Sequence, residues 1–364
     1  MAFLRIPNVA IRGIAACVPP KVEETVNIPF YSADEAEKVI ESTGVERKHI
    51  VSGGITASDL CLTACERLLE DLGWERDSID AICNVTQTSD YTNHPNVFVL
   101  HEKLGLSDQC LSLDLYHGCP GWVIGLSAIS SLQSHGSLKR ALLLDGDNIT
   151  SLQYRQDRES RPLFGDCGTA TALEFDESAA PMLFQTGTNS IDGISLIHKS
   201  GGSRQPYTLD AYQRELSLRR GEISTEGVED LMDGMSVFSF GITAPPKSIK
   251  RLCEEYGIDL DSIDKVVLHQ ANLFMVKKIA KKLKLDPDRV PSCLKDYGNT
   301  TSTSIPLTIV SQCGQEYTSK LLKTIACGFG TGLAWATVYF ETNGIVCPEV
   351  IIYKPDEPCT TPIH

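Results

Sequence analysis

Little in this 364-residue sequence would tie it to a membrane, a metal or a nucleic acid. No segment is apolar for long enough to cross a bilayer, and the N-terminal stretch MAFLRIPNVAIRGIAACVPP has an arginine and prolines where a secretory leader needs an unbroken apolar run. No CxxC pair or Cys/His cluster has zinc spacing, so no metal site is expected. The thirteen cysteines are odd in number and lack a disulfide framework spacing, which indicates a reducing compartment, read here as the cytoplasm. Positive charge is scarce. With 33 Lys and Arg against 47 Asp and Glu, the net charge of −14 argues against nucleic acid as the main partner. What remains, 42% hydrophobic and 22% charged residues, is a globular composition with enough chain for one duplicated domain or two ordinary ones.

Duplication is visible. Residues 67–80, RLLEDLGWERDSID, and 251–264, RLCEEYGIDLDSID, agree at eight of fourteen positions at an offset of 184. Each copy reads as a helix end, a glycine cap, a short loop and then a strand, AICNVTQTS or KVVLHQAN. Further on, HEKLGL (101–106) is echoed by AKKLKL (280–285). Two copies of one α/β unit imply layered sheets with helices outside and between them.

The repeat also aligns chemistry. In DLYHGCPGWVIGL, Cys119 follows an alternating, strand-like run and precedes an apolar helix with Pro120 in its first turn. A helix N-terminus favours an anion, which lowers a thiol's pKa toward thiolate; the alternative is a small core residue at a turn. Offset by 180, Gly298-Asn299 lies within CLKDYGNTTSTSIPL, read as the same strand, glycine, polar residue and helix start. Asn299 is either a helix cap or a functional group facing Cys119 across a pseudo-twofold axis. His269 ends an apolar strand, at the end where α/β folds collect ligands. Three residues on, Asn272 is placed to cap the next helix or to orient a substrate. The glycines of CGFGTGLAW, including Gly330, suit a tight turn that offers backbone N–H groups to an oxyanion.

TGV (43–45), YHGCPGW, RPLFGDCGTATAL, LHQANL, YGNTTSTSIPL and GFGTGLAW, in this order between about Val9 and Phe340, resemble the β-ketoacyl-carrier-protein synthases of type III, within the thiolase superfamily. The resemblance implies an α/β, thiolase-like fold of two pseudo-symmetric βαβαβαββ halves in a five-layer αβαβα arrangement, normally a homodimer. It divides the chain into a nucleophile-bearing half (1–180), a connecting or lid segment (181–235), a half carrying His and Asn (236–341) and an extension of unassigned role (342–364). A Cys-His-Asn triad then falls on Cys119, His269 and Asn299. Cys119 takes an acyl group from a thioester, and its own N–H with that of Thr331 stabilises the oxyanion. A malonyl thioester loses CO₂, and a neutral His269 and Asn299 donate to the enolate. The product is a 3-oxoacyl thioester of fatty-acid or polyketide type. No cofactor is implied beyond the carriers, coenzyme A or the phosphopantetheine arm of acyl carrier protein.

Phe164 resembles the phenylalanine at the family's active-site entrance, and with Asn272, His94 and Gly330 it completes the expected substrate contacts. His94, in TSDYTNHPNVF, is expected to reach across the dimer into the acyl site of the partner subunit. Lys277, Lys278, Lys281, Lys282 and Lys284 form a basic run suited to docking an acidic carrier protein. Aligned on the family, the positions that clamp the coenzyme A adenine fall on Lys38 and Ser151, neither of them flat. Other readings stay open: a papain-like protease, which leaves the repeat unexplained; a chalcone-synthase-like or hydroxymethylglutaryl-synthase-like relative; a subunit of a heteromeric ketosynthase; and an acyltransferase to an alcohol or amine.

Overall fold

The computed structural model describes residues 2–355 except 155, 192–195, 198–200, 221 and 223–232. After β1 (Ala2–Ile6), the first half lays down β2 (Val9–Val18) and a hairpin of β3 (Lys21–Glu24) and β4 (Arg47–Ile50) enclosing α1 (Ala33–Thr43). It continues with α2 (Ala57–Leu72), β5 (Ala81–Val85), α3 (Asn96–Leu104), β6 (Leu111–Leu115), α4 (Gly121–Gln133), β7 (Arg140–Asp147) and β8 (Cys167–Phe175). Apart from the hairpin unit, this order is βαβαβαββ.

The second half begins with β9 (Met182–Thr188) and is interrupted by α5 (Leu209–Arg220) and α6 (Gly234–Gly241). It resumes with α7 (Ala244–Tyr256), β10 (Lys265–Leu268), α8 (Leu273–Leu283), α9 (Leu294–Tyr297), α10 (Ser304–Thr308) and α11 (Gly314–Ser319). β11 (Leu321–Gly330), β12 (Ala334–Asn343) and β13 (Ile351–Ile352) close the chain.

Identical residues of the repeat perform identical local tasks. Gly73 and Gly257 end α2 and α7 in the left-handed conformation at φ 62° and 65°, where a side chain is disfavoured. Asp80 accepts from the backbone N–H groups of Lys139 and Arg140, and Asp264 accepts from that of Lys323, each tying one strand start to its neighbour. Two differences from the sequence reading follow. The stretch before Asn299 is an irregular approach and one helical turn, α9, rather than a strand; Pro291 has no N–H to give, and Ser292 turns its hydroxyl to Gln270. β9, assigned to the connecting segment, is the first strand of the second half.

The strands form two main sheets, β13-β2-β8-β7-β5-β6 and β1-β9-β12-β11-β10. Each sheet therefore borrows an edge from the other end of the chain. The extension past residue 342 is no appendage: Val346 and β13 pair in parallel with β2. α4 lies between the sheets, with Trp122, Val123, Leu126 and Ile129 in one central core, and α10 and α11 share that layer. α2 and α3 cover the outer face of one sheet and α7 and α8 that of the other, giving five layers, αβαβα, of thiolase type. Among the described residues no helix is long and apolar enough to cross a membrane. The described cysteines are all free thiols.

Candidate active site

Cys119 sits between β6 and α4, directly before the cap Pro120, and is only 7% exposed. The end of β11 lies close against it, with glycines at 328 and 330. A Cβ on Gly328 would lie 2.6 Å from Pro120 Cα, and one on Gly330 2.6 Å from the Cys119 sulfur. The backbone and hydroxyl of Thr331 and the backbone of Cys119 itself favour the anionic form of that sulfur. The helix start was expected to draw the thiol toward thiolate. Burial outweighs these groups and pushes its pKa up to about 11, so that the resting group is a thiol.

From the other half, β10 delivers His269. Its backbone N–H donates to Cys327 O at 2.9 Å, and its ring stands edge-on to Phe329 with centroids 5.3 Å apart. Nδ1 is 2.7 Å from the Ser304 hydroxyl, and the Ser304 N–H in turn donates to Thr301 O. Burial, with the residue 2% exposed, pulls its pKa down to about 3, so the imidazole is neutral at pH 7.

Asn299 is not a helix cap. Its Oδ1 accepts the Thr301 N–H at 2.9 Å, which fixes the amide's orientation because a backbone N–H can only donate, and Nδ2 donates to Ala271 O at 3.5 Å with its second N–H left over. Asn299 N–H donates to Leu163 O at 2.9 Å and Asn299 O accepts from Gly165 N–H at 3.0 Å, which ties Phe164 to Asn299 as an isolated bridge. Gly298, at φ 66°, permits this approach, since a Cβ there would meet Leu163 O at 2.5 Å.

The two helix starts meet as the repeat implied: a Cβ on Gly121 would stand 3.1 Å from Ser302 Cβ. Beneath them Asp147 Oδ2 accepts from Thr301 Oγ1 at 2.5 Å and Asp145 Oδ1 accepts from Ser302 Oγ at 2.6 Å. These carboxylates, Thr301 and Ser304 were missed by the sequence reading. The available signal was LLLDGDN, two acids closing an apolar strand.

Two family models match the segments that carry these groups. One, described as 3-oxoacyl-[acyl-carrier-protein (ACP)] synthase III, matches residues 113–190; its C-terminal counterpart matches residues 253–342. A beta-ketoacyl-[acyl-carrier-protein] synthase III from Ruegeria pomeroyi is 30% identical over 333 residues, covering 90% of this chain and 97% of its own. The crystal structure of a 3-oxoacyl-(acyl-carrier protein) synthase from Burkholderia xenovorans LB400 superposes with a TM-score of 0.88 at 36% identity, over 97% of this chain and 99% of the other. The chain belongs to the 3-oxoacyl-[acyl-carrier-protein] synthase III family. A synthase III from Pseudomonas aeruginosa PAO1 is similar at 26% identity and a TM-score of 0.80, over 93% of this chain and 99% of that one.

Around the centre of this synthase III fold, the remaining expected contacts divide. Asn272 caps α8, its side chain accepting from Met275 N–H at 2.8 Å, so that its oxygen is not free to orient a substrate. His94 is exposed, with its ring between those of Tyr91 and Phe98 at 6.3 and 5.8 Å. Lys277, Lys278, Lys281 and Lys282 are exposed on α8, whereas Lys284 is its left-handed C-cap at φ 57°. Lys282 also lines, with Lys247 and Lys250 of α7, a hollow of about 350 Å³. Lys38 is exposed on α1 and offers no flat surface, as expected. A stacking surface nevertheless exists close by in the fold: the Arg158 guanidinium lies 4.8 Å from the Tyr31 ring and 5.4 Å from that of Phe30.

Proposed function

We propose that the chain is a condensing acyltransferase, which loads an acyl group from a thioester primer onto Cys119 and joins it to a malonyl thioester on an acyl carrier protein. In the first step the Cys119 sulfur attacks the acyl carbonyl, its proton leaves on the departing carrier thiol, and the N–H groups of Cys119 and Thr331 hold the tetrahedral oxyanion. In the second, malonyl C–C cleavage releases CO₂ and leaves an enolate beside His269 and Asn299. Its carbon attacks the acyl-Cys119 carbonyl, the Cys119 sulfur leaves and takes a proton from solvent to restore the thiol, and a 3-oxoacyl thioester of fatty-acid or polyketide type remains on the carrier.

The observation that carries this reading is the amide of Asn299. With its oxygen bound to Thr301 N–H and Nδ2 spending one N–H on Ala271 O, it has one further N–H and so can act only as a donor, which suits a developing enolate. A donor at this position favours decarboxylative condensation over transfer to an alcohol or amine.

A homodimer through β6, the free edge of its sheet, would cover the exposed Leu111, Phe98 and Tyr116, the last 81% exposed, and bring His94 toward the acyl site of the partner subunit. The exposed α8 lysines suit the acidic carrier, and the free buried thiols suit a reducing cytoplasm.

The test separates the half-reactions. Cys119→Ala should lose both acyl-enzyme formation and condensation. His269→Ala and Asn299→Ala should still form acyl-Cys119, seen by intact mass, while CO₂ release from malonyl carrier falls by about 10²–10³. Condensation surviving in Cys119→Ala would refute the assignment.

A further inference from the structure

Thr301 has a backbone that its side chain opposes. Its φ is +56°, in the left-handed region that β-branched residues rarely enter, so its surroundings must hold it there. Every polar group on it is engaged at the site. The N–H donates to Asn299 Oδ1 at 2.9 Å, the carbonyl accepts the N–H of Ser304, whose hydroxyl lies 2.7 Å from His269 Nδ1, and the hydroxyl donates to Asp147 Oδ2 at 2.5 Å.

Asp147 belongs to the other half of the molecule, at the end of β7, and is 1% exposed. It is itself gripped. Oδ1 accepts from Thr86 Oγ1, Gln87 N–H and Thr88 Oγ1 at 3.1, 2.7 and 3.2 Å, and Oδ2 accepts from Gln87 Nε2 at 3.1 Å. This carboxylate is thus fixed to its own half, and its one bond across the seam goes to the residue that orients both enolate donors.

We propose that Asp147, acting through Thr301, is the positioning residue for the condensation half-reaction, holding His269 and Asn299 in register with Cys119. The inference rests on the condensing reading above and adds to it a selective cost: losing the Asp147–Thr301 bond should impair decarboxylation and spare acyl transfer, whose donors come from Cys119 and Thr331. A misplacement of about 1 Å is worth on the order of 10² in rate.

Asp147→Asn and Thr301→Val are near-isosteric and remove the bond from either side; Thr301→Ser keeps the hydroxyl. Each full-length variant, with its thermal melt recorded, is given acetyl-coenzyme A to measure acyl-Cys119 formation and then malonyl carrier to measure CO₂ release. The expected result is acylation within about threefold of the unaltered enzyme, CO₂ release lower by about 10² in Asp147→Asn and Thr301→Val, and recovery in Thr301→Ser. The double variant should be no worse than either single one, because both break the same bond. Equal loss of both half-reactions, or CO₂ release unchanged in Thr301→Val, overturns the inference while leaving the condensing reading intact. If Asp147→Asn does not fold, the two Thr301 variants decide. Should the unaltered enzyme form acyl-Cys119 yet release no CO₂ from malonyl carrier, the condensing reading itself fails.

Discussion

A Cβ placed on Gly330 would stand 2.6 Å from the Cys119 sulfur and 2.7 Å from the Cys119 Cβ, closer than real side chains approach. Gly330→Ala should therefore displace the nucleophile relative to the N–H groups that are to hold the oxyanion. Acyl-Cys119 formation, followed by intact mass, is expected to fall by about 10² or more, as for a lost or misplaced oxyanion donor. Overpacking of this kind costs about 1–3 kcal/mol, so the variant should still fold. Wild-type acylation in Gly330→Ala would mean that the end of β11 does not set the sulfur's position.

The buried thiol gives the free enzyme a definite pH signature. Thiolate is the species that reacts with iodoacetamide, and with the Cys119 pKa pushed up to about 11 its fraction grows roughly tenfold per pH unit below that value. Alkylation mapped to Cys119 should thus climb from pH 7 through 10 without levelling. His269, held near 3, adds no inflection at the ordinary histidine value. A plateau already reached at pH 8 would show that the start of α4 outweighs burial.

The fold was legible where residues repeat a local task. Gly73 and Gly257 cap equivalent helices, Asp80 and Asp264 tie equivalent strands, and the repeat placed Cys119 and Asn299 at matching corners. The Cys119 pKa was not legible, because the effect of a helix start is local and burial is not. Nor was the Asp147–Thr301 bond: its partners are 154 residues apart, and no periodicity pairs a strand-end acid with one threonine among several. The exchange of β1 and β13 between the sheets was hidden for a third reason. Short edge strands are chosen by the sheet they complete, not by their own pattern.

That exchange gives the C-terminal stretch a structural task. Val346 N–H donates to Arg12 O, Ile14 N–H to Val346 O and Tyr353 N–H to Val18 O, each at 2.9 Å, and Ile345 is buried in the central core. Ending the chain at Asn343 removes these bonds and that side chain, about 1 kcal/mol for each bond and about 1.5–3 for the isoleucine. It also uncovers the edge of β2, an invitation to aggregation. The truncated protein should melt roughly 5–10 °C lower, with increased light scattering on heating. An unchanged melting temperature would mean that β13 contributes nothing to the sheet.

Carrier docking is best probed on part of the basic run, because its members are not equivalent. Lys282 Nζ donates to Ile242 O at 2.8 Å, Lys278 lies 5.0 Å from the Phe274 ring, and Lys284 caps the helix, so altering them also disturbs packing. Lys277 and Lys281 lie one turn apart on the exposed face of α8 and are the cleaner choice. Reversing both, as Lys277→Glu with Lys281→Glu, changes the local charge by four while leaving the apolar face of α8 in place. Steering by surface charge acts mainly on encounter and is screened by salt, with a Debye length of about 10 Å at 0.1 M and about 3 Å at 1 M. The kcat/KM for malonyl carrier protein should fall about tenfold at low salt and converge with that of the unaltered enzyme in concentrated salt. With malonyl-coenzyme A as the donor it should stay within about twofold, since no protein partner has to be steered. Equal loss on both donors would place the damage at the active site, and no loss on either would put the carrier on another face.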